Sequence, residues 1–149
     1  MGLFDKVLGK DKVDGAVTLS KTEAYAAVAV AAIAADGSIS NEEVTRTAMN
    51  LAAIPSFSKF DMRDMGDVLN KVAGLIKRRG AAAVMPAVKA ALSKEQAEQA
   101  FFFAADLVLA DGTVEKEERL FLEELRVALG IEEPLSLKIV EVVVIKNRS

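Results

Sequence analysis

The stretch Ala35-Asp36-Gly37-Ser38-Ile39-Ser40-Asn41-Glu42-Glu43 returns 75 residues later as Ala110-Asp111-Gly112-Thr113-Val114-Glu115-Lys116-Glu117-Glu118, identical or closely similar at seven of nine positions. Each copy follows an unusually apolar run and precedes an amphipathic one, so the repeated unit is a helix, an acidic turn and a second helix. Two such units predict an all-α fold, a compact bundle of about seven to eight helices built from two pseudo-symmetric helical repeats.

Working outward, residues 24–35 are nearly all Ala and Val, about a dozen positions that suit a buried helix and fall short of a membrane span. Ser20 or Thr22 can cap that helix, expected over residues 23–35, and a second is expected over 41–53 before Pro55. Between Asp61 and Arg79, the residues Met62, Met65, Val68, Leu69, Val72, Leu75 and Ile76 recur at helical spacing. Lys77, Arg78 and Arg79 suit the negative end of that helix, and Gly80 stops it. Residues 81–92 form a short helix, irregular near Pro86, which lacks an N–H. Ser93 and Gln96 make a capping box for a helix over 95–110, whose Phe101, Phe102 and Phe103 should anchor the core. A helix over 117–129 places Leu120, Phe121, Leu125 and Leu129 on one face and closes at Gly130. Pro134 sets off a tail in which residues 137–145 read as a last helix capped by Ser136, with a short strand as the alternative.

The expected organisation is one domain over 1–149: an N-terminal amphipathic segment (1–19), a first repeat (20–60), central helices (61–92), a second repeat (93–131) and a C-terminal extension (132–149). The N-terminal segment sets Leu3, Phe4, Val7 and Leu8 on one face, and Lys6 stands where a myristoylation motif wants Ser or Thr. With 52% apolar residues the chain can build a core without disulfides. The net charge of −3 gives no field that attracts nucleic acid. No cationic, cleavable leader opens the sequence, which is read as cytoplasmic. The absence of Cys and His removes thiol and imidazole chemistry, so a metal bound here would see oxygen ligands.

The acidic unit matches the second half of an EF-hand calcium loop, D-x-[DN]-x-[DN]-G-x5-E. Asp36, Gly37, Ile39 and Glu43 fall on its fifth, sixth, eighth and twelfth positions, as do Asp111, Gly112, Val114 and Glu118. The first and third positions are Ala32 and Ala34 in one copy and Leu107 and Leu109 in the other, so an ordinary EF-hand is excluded. If the copies face each other, Asp36, Glu42 or Glu43, Asp111, and Glu117 or Glu118 can pool their carboxylates. The competing reading needs no metal: Gly37 and Gly112 end helices, and Ser40 with Glu43 forms a capping box. Glu115 replaces that Ser in the second copy, leaving Glu118 less well explained by capping.

The paired A-D-G-x-x-x-x-E-E units, the start Met1-Gly2-Leu3-Phe4-Asp5-Lys6-Val7, the middle from Phe60-Asp61 to Asn70-Lys71, and the closing stretch from Leu125 to Ile131 together resemble the TerB tellurite-resistance family. The resemblance implies a helical bundle of two similar halves with an acidic face that binds divalent metal. Calcium is favoured, with magnesium or manganese as alternatives. It also implies a role in bacterial stress response alongside other ter proteins, a calcium-binding TerD-type partner and a membrane TerC-type protein that would bring the chain to the inner face of the membrane. Carried over by position, the metal residues are Asp36, Glu43, Asp111 and Glu118, with Glu42 and Glu117 as neighbours. Function is therefore expected to be non-enzymatic, a metal-binding and protein-interaction module. The alternatives are a purely structural adaptor and, behind it, a metal-dependent hydrolase, which lacks a nucleophile or base beyond these carboxylates.

Overall fold

A computed structural model describes residues 16–35 and 40–148. The N-terminal amphipathic turn around Leu3 to Leu8 and the tip of the first acidic loop, with Asp36 and Gly37, lie outside the described residues. Among those described there are seven α-helices, one 3-10 turn and no strand.

The first helix, α1 (Lys21–Ile33), sets the arrangement of the rest. Every residue from Ala24 to Ile33 is buried, because the helix is apolar on all sides and cannot leave any face to water. Most of those residues are alanines, and short side chains let neighbouring helices approach closely. Its start is fixed by a capping box in which the Glu23 N–H donates to Ser20 Oγ at 3.2 Å and the Ser20 N–H donates to Glu23 Oε1 at 2.9 Å. Glu23 also accepts from Lys71 Nζ at 2.6 Å, and that bond, with the Ser20 amide, holds its carboxyl below the ordinary value.

Around α1 lie α2 (Asn41–Ala52), α3 (Met62–Arg79), α4 (Ala81–Ala91) and α5 (Lys94–Val108), all packed against it. The last two helices, α6 (Lys116–Leu129) and α7 (Glu133–Lys146), pack on α5 instead. A 3-10 turn at Pro55–Phe57 buries Phe57 against Tyr25, and Phe60 meets Phe57 edge-on with ring centroids 5.1 Å apart. Gly80, at φ 84°, separates α3 from α4, a backbone conformation that favours glycine. Pro86 leaves α4 a single helix because it lies on the exposed side, where the carbonyl of Ala82 can turn to water.

Three expectations change. Only Phe101 of the three phenylalanines is fully buried; Phe103 is half-buried, and Phe102 is 39% exposed because three consecutive helical positions cannot share one face. On α6 the buried stripe is Leu122, Leu125 and Leu129, while Leu120 faces outward. The C-terminal extension is a helix that begins earlier than expected, with Glu132 at the N-cap and Pro134 inside the first turn, where its missing N–H does no harm. Ser136 is not the cap. It is buried within the helix and its hydroxyl donates to the Glu133 carbonyl at 2.9 Å.

The tightness around α1 gives a direct expectation. Ala29 is completely buried, and Ala29→Leu should overpack the helix junction and destabilise the protein by about 1–3 kcal/mol. The measurement is urea denaturation, where the midpoint should fall with little change in slope.

Candidate cation site between the acidic loops

The ends of α1 and α5 and the starts of α2 and α6 meet around one cleft, lined by Ala32, Ile33, Ala35, Glu43, Arg46, Leu107, Val108, Glu117 and Glu118. One acidic unit thus contributes Glu43, and the other contributes Glu117 and Glu118. This convergence follows from the packing of α1 against α5, which sets their C-terminal ends side by side.

Each unit begins its second helix in the same way. In the first, the Ser40 N–H donates to Glu43 Oε1 at 2.9 Å and the Glu43 N–H donates to Ser40 Oγ at 3.1 Å. In the second, the Glu115 N–H donates to Glu118 Oε1 at 3.0 Å. Glu118 therefore serves the helix start even with Glu115 in place of the capping Ser, a position where the sequence left it less well explained by capping. A glutamate three positions into a helix reaches the N-cap amide whether or not the N-cap side chain reciprocates.

The remaining candidates are placed differently. Asp111 does not line the cleft; its Oδ1 accepts from the Thr113 N–H at 3.0 Å and the Thr113 hydroxyl at 2.9 Å. Those two bonds draw its carboxyl below the usual value. Glu42 lines a separate open groove with Asn41, Thr45, Arg46 and Met49. Asp36 lies outside the described residues.

Electrostatically the second unit is unsettled. Loss of hydration pushes the Glu118 carboxyl above the ordinary value, the Glu115 amide opposes the shift, and the charges of Asp111, Glu115 and Glu117 add to it. Negative groups gathered here repel one another, a local field that would favour a cation. Against that, among the described residues no three acidic side chains come together in a way that could hold a metal ion. With one oxygen of Glu43 and one of Glu118 bound to amides, the cleft keeps four carboxylate oxygens, one from each of these residues and two from Glu117. That is fewer than the six to eight that calcium takes, so water or Asp36 would have to complete the shell.

Two features escaped the sequence reading. Arg46 lines the cleft from the same helix face as Glu43, three residues away, and supplies a positive charge inside it. The spacing was visible, but not the cleft it borders. The second feature is a clasp from the C-terminus of α7. Asn147 Nδ2 donates to the Leu109 carbonyl at 3.1 Å and to Asp106 Oδ1 at 2.9 Å, while Lys146 Nζ reaches the same Oδ1 at 3.1 Å. Gly112, at φ 81°, sits so close that an added Cβ would lie 2.7 Å from the Asn147 carbonyl oxygen. The second acidic turn is thus held between Thr113 and the end of α7.

A family model described as "Tellurite resistance protein TerB" matches residues 22–136, most of the chain. No curated protein and no solved structure matches it.

Glu118 offers a pH test with a defined sign. Its raised folded-state pKa means that protonation favours the folded protein, so the penalty of its charge is absent at acid pH and appears as pH rises through the folded value. Glu118→Gln keeps an acceptor for the Glu115 amide. It should raise the melting temperature at neutral pH, by an amount that screening holds below about 1 kcal/mol, and the gain should vanish at acid pH. Gly112→Ala should cost about 1–3 kcal/mol through backbone strain and collision with Asn147, with hydrogen exchange accelerated first in the last turn of α7.

Proposed function

We propose that this chain, which belongs to the tellurite resistance protein TerB family, works as a non-enzymatic module that binds a divalent cation between its two acidic units and presents its helices to protein partners. The observation that carries this reading is the shared cleft, where Glu43 from one unit faces Glu117 and Glu118 from the other. A cation there would relieve the repulsion around Glu118 and tie the start of α2 to the start of α6. When bound it would supply charge neutralisation and a bridge. Glu43 and Glu118 keep one oxygen each on their cap amides, so they are pre-positioned before any ion arrives.

Calcium suits this arrangement better than magnesium. It accepts irregular shells completed by carbonyls and water, whereas magnesium demands near-octahedral regularity. Manganese is the remaining candidate among hard cations. Asp36 and Asp111 belong to the proposed ligand set through their positions in the repeat, Glu42 more remotely. With so few preformed ligands the affinity would be low, on the order of 10⁻⁴ to 10⁻³ M. The partners we propose are other ter proteins, a reading that family membership supports, including a TerD-type calcium binder and a membrane TerC-type protein that would draw a cytoplasmic chain to the inner membrane face.

A second reading is a structural adaptor that takes no metal. Arg46 favours it, because a guanidinium already in the cleft can balance the carboxylates. The two readings predict opposite effects of one substitution. Under cation binding, Arg46→Gln removes a competing charge and should tighten affinity several-fold. Under the adaptor reading it leaves the carboxylates unbalanced and only lowers stability.

Calorimetric titration of the full chain with calcium, magnesium and manganese, paired with melting curves, tests the proposal. One weak binding event is expected, lost alike in Glu43→Gln and Glu117→Gln if the site is pooled. No heat and no melting shift with any of the three ions would sink it.

A further inference from the structure

We infer that the outward face of α7 is a dimer interface whose occupant is α7 of a second copy of this chain, running antiparallel across a two-fold axis. Among the described residues the helix is anchored to α5 on one side only. Ser136 and Val143 are buried, Lys146 pairs with Asp106, and Asn147 closes on the Leu109 carbonyl. The opposite side carries Pro134, Leu137, Lys138, Glu141, Val142 and Ile145, all exposed. Leu137 is 63% exposed, Val142 56% and Ile145 53%, a run of large apolar groups on one short helix that a solitary surface helix does not ordinarily leave open.

The order of these residues identifies the occupant. An axis midway between Ile139 and Val140 brings Leu137 onto Val142 of the second copy, Pro134 onto Ile145, and Lys138 onto Glu141. Symmetry makes each pairing twice, so the face is complementary to itself in both shape class and charge, as an isologous interface requires. A parallel pairing would instead set Lys138 against Lys138 and Glu141 against Glu141. An anionic membrane is a poorer fit, because Glu141 stands near the centre of the face beside the only lysine there. The outward residues from Leu137 onward lie beyond the family match, which ends at residue 136. The surface is also separate from the acidic cleft, and its test does not depend on metal.

A single helix pair lies at the small end of specific interfaces, so dimerisation should be weak, in the micromolar range. Sedimentation equilibrium of the full chain, from low micromolar to near-millimolar concentration, should show a monomer–dimer equilibrium. Lys138→Glu and Glu141→Lys each make both ion pairs repulsive and should each weaken association about tenfold. Mixing the two variants restores both pairs in a heterodimer, which should form with roughly the wild-type affinity. Val142→Asp should abolish association, with circular dichroism melting to confirm that it folds. A wild-type chain that stays monomeric throughout overturns the inference, as it would if the N-terminal stretch of the same chain covered this face. So does a mixture that associates no better than either variant alone.

Discussion

The complete enclosure of α1 is the constraint from which the rest of the structure follows. A helix with ten consecutive buried residues must be touched on every side, and here the neighbours are α2, α3, α4 and α5. Alanine makes that enclosure possible, since it adds little width and loses no rotamer freedom in a helix. Bulk is supplied from outside, by Phe57, Phe101, Leu51, Met65 and Leu109 around it. The close approach of α5 to α1 then decides where their C-terminal ends lie, and so decides that the two acidic units border a common cleft.

Within that frame, helix initiation and the candidate site use the same atoms. Four helices begin with reciprocal boxes, at Ser20 with Glu23, Ser40 with Glu43, Asp61 with Asp64, and Ser93 with Gln96, and α6 keeps the returning half of one through Glu118. For Glu43 and Glu118, capping fixes one carboxylate oxygen and leaves the other beside the cleft. The structural and metal readings are therefore not exclusive in geometry. A capped glutamate is a better-positioned ligand than a free one, because its rotamer is already restricted before a cation meets it.

The sequence was most informative where a local rule sufficed. Seven apolar residues at helical spacing located α3, Gly80 marked its end, and Ser93 with Gln96 marked the start of α5, all through interactions within a few residues. It was less informative where neighbours decide. Val-rich α7 reads ambiguously because β-branched residues suit strands, yet burial of Val143 against α5 selects the helix. Ser136 has the chemistry of a cap, but Pro134 allows the helix to begin at Glu133, three residues before it. At the site, the repeat placed both acidic units in view, while the presence of Arg46 in the cleft and the clasp of Asn147 on the second turn depend on contacts between distant segments.

The charge distribution at the cleft also limits what a cation could do there. Glu43, Glu117 and Glu118 sit in the first turns of α2 and α6, where the helix dipoles stabilise negative charge. The ends of α1 and α5 at the same cleft bring the opposite pole, and their carbonyls add to the negative potential. The dipoles at the helix starts favour these carboxylates, whereas at Glu118 loss of hydration, with a smaller part from the charges of Asp111, Glu115 and Glu117, raises the carboxyl above its ordinary value. Under the proposed reading, a cation would therefore add little to the stability of a core organised around α1. Its effect would be concentrated on the relation between α2 and α6, the two helices that carry the carboxylates, one packed on α1 and the other on α5.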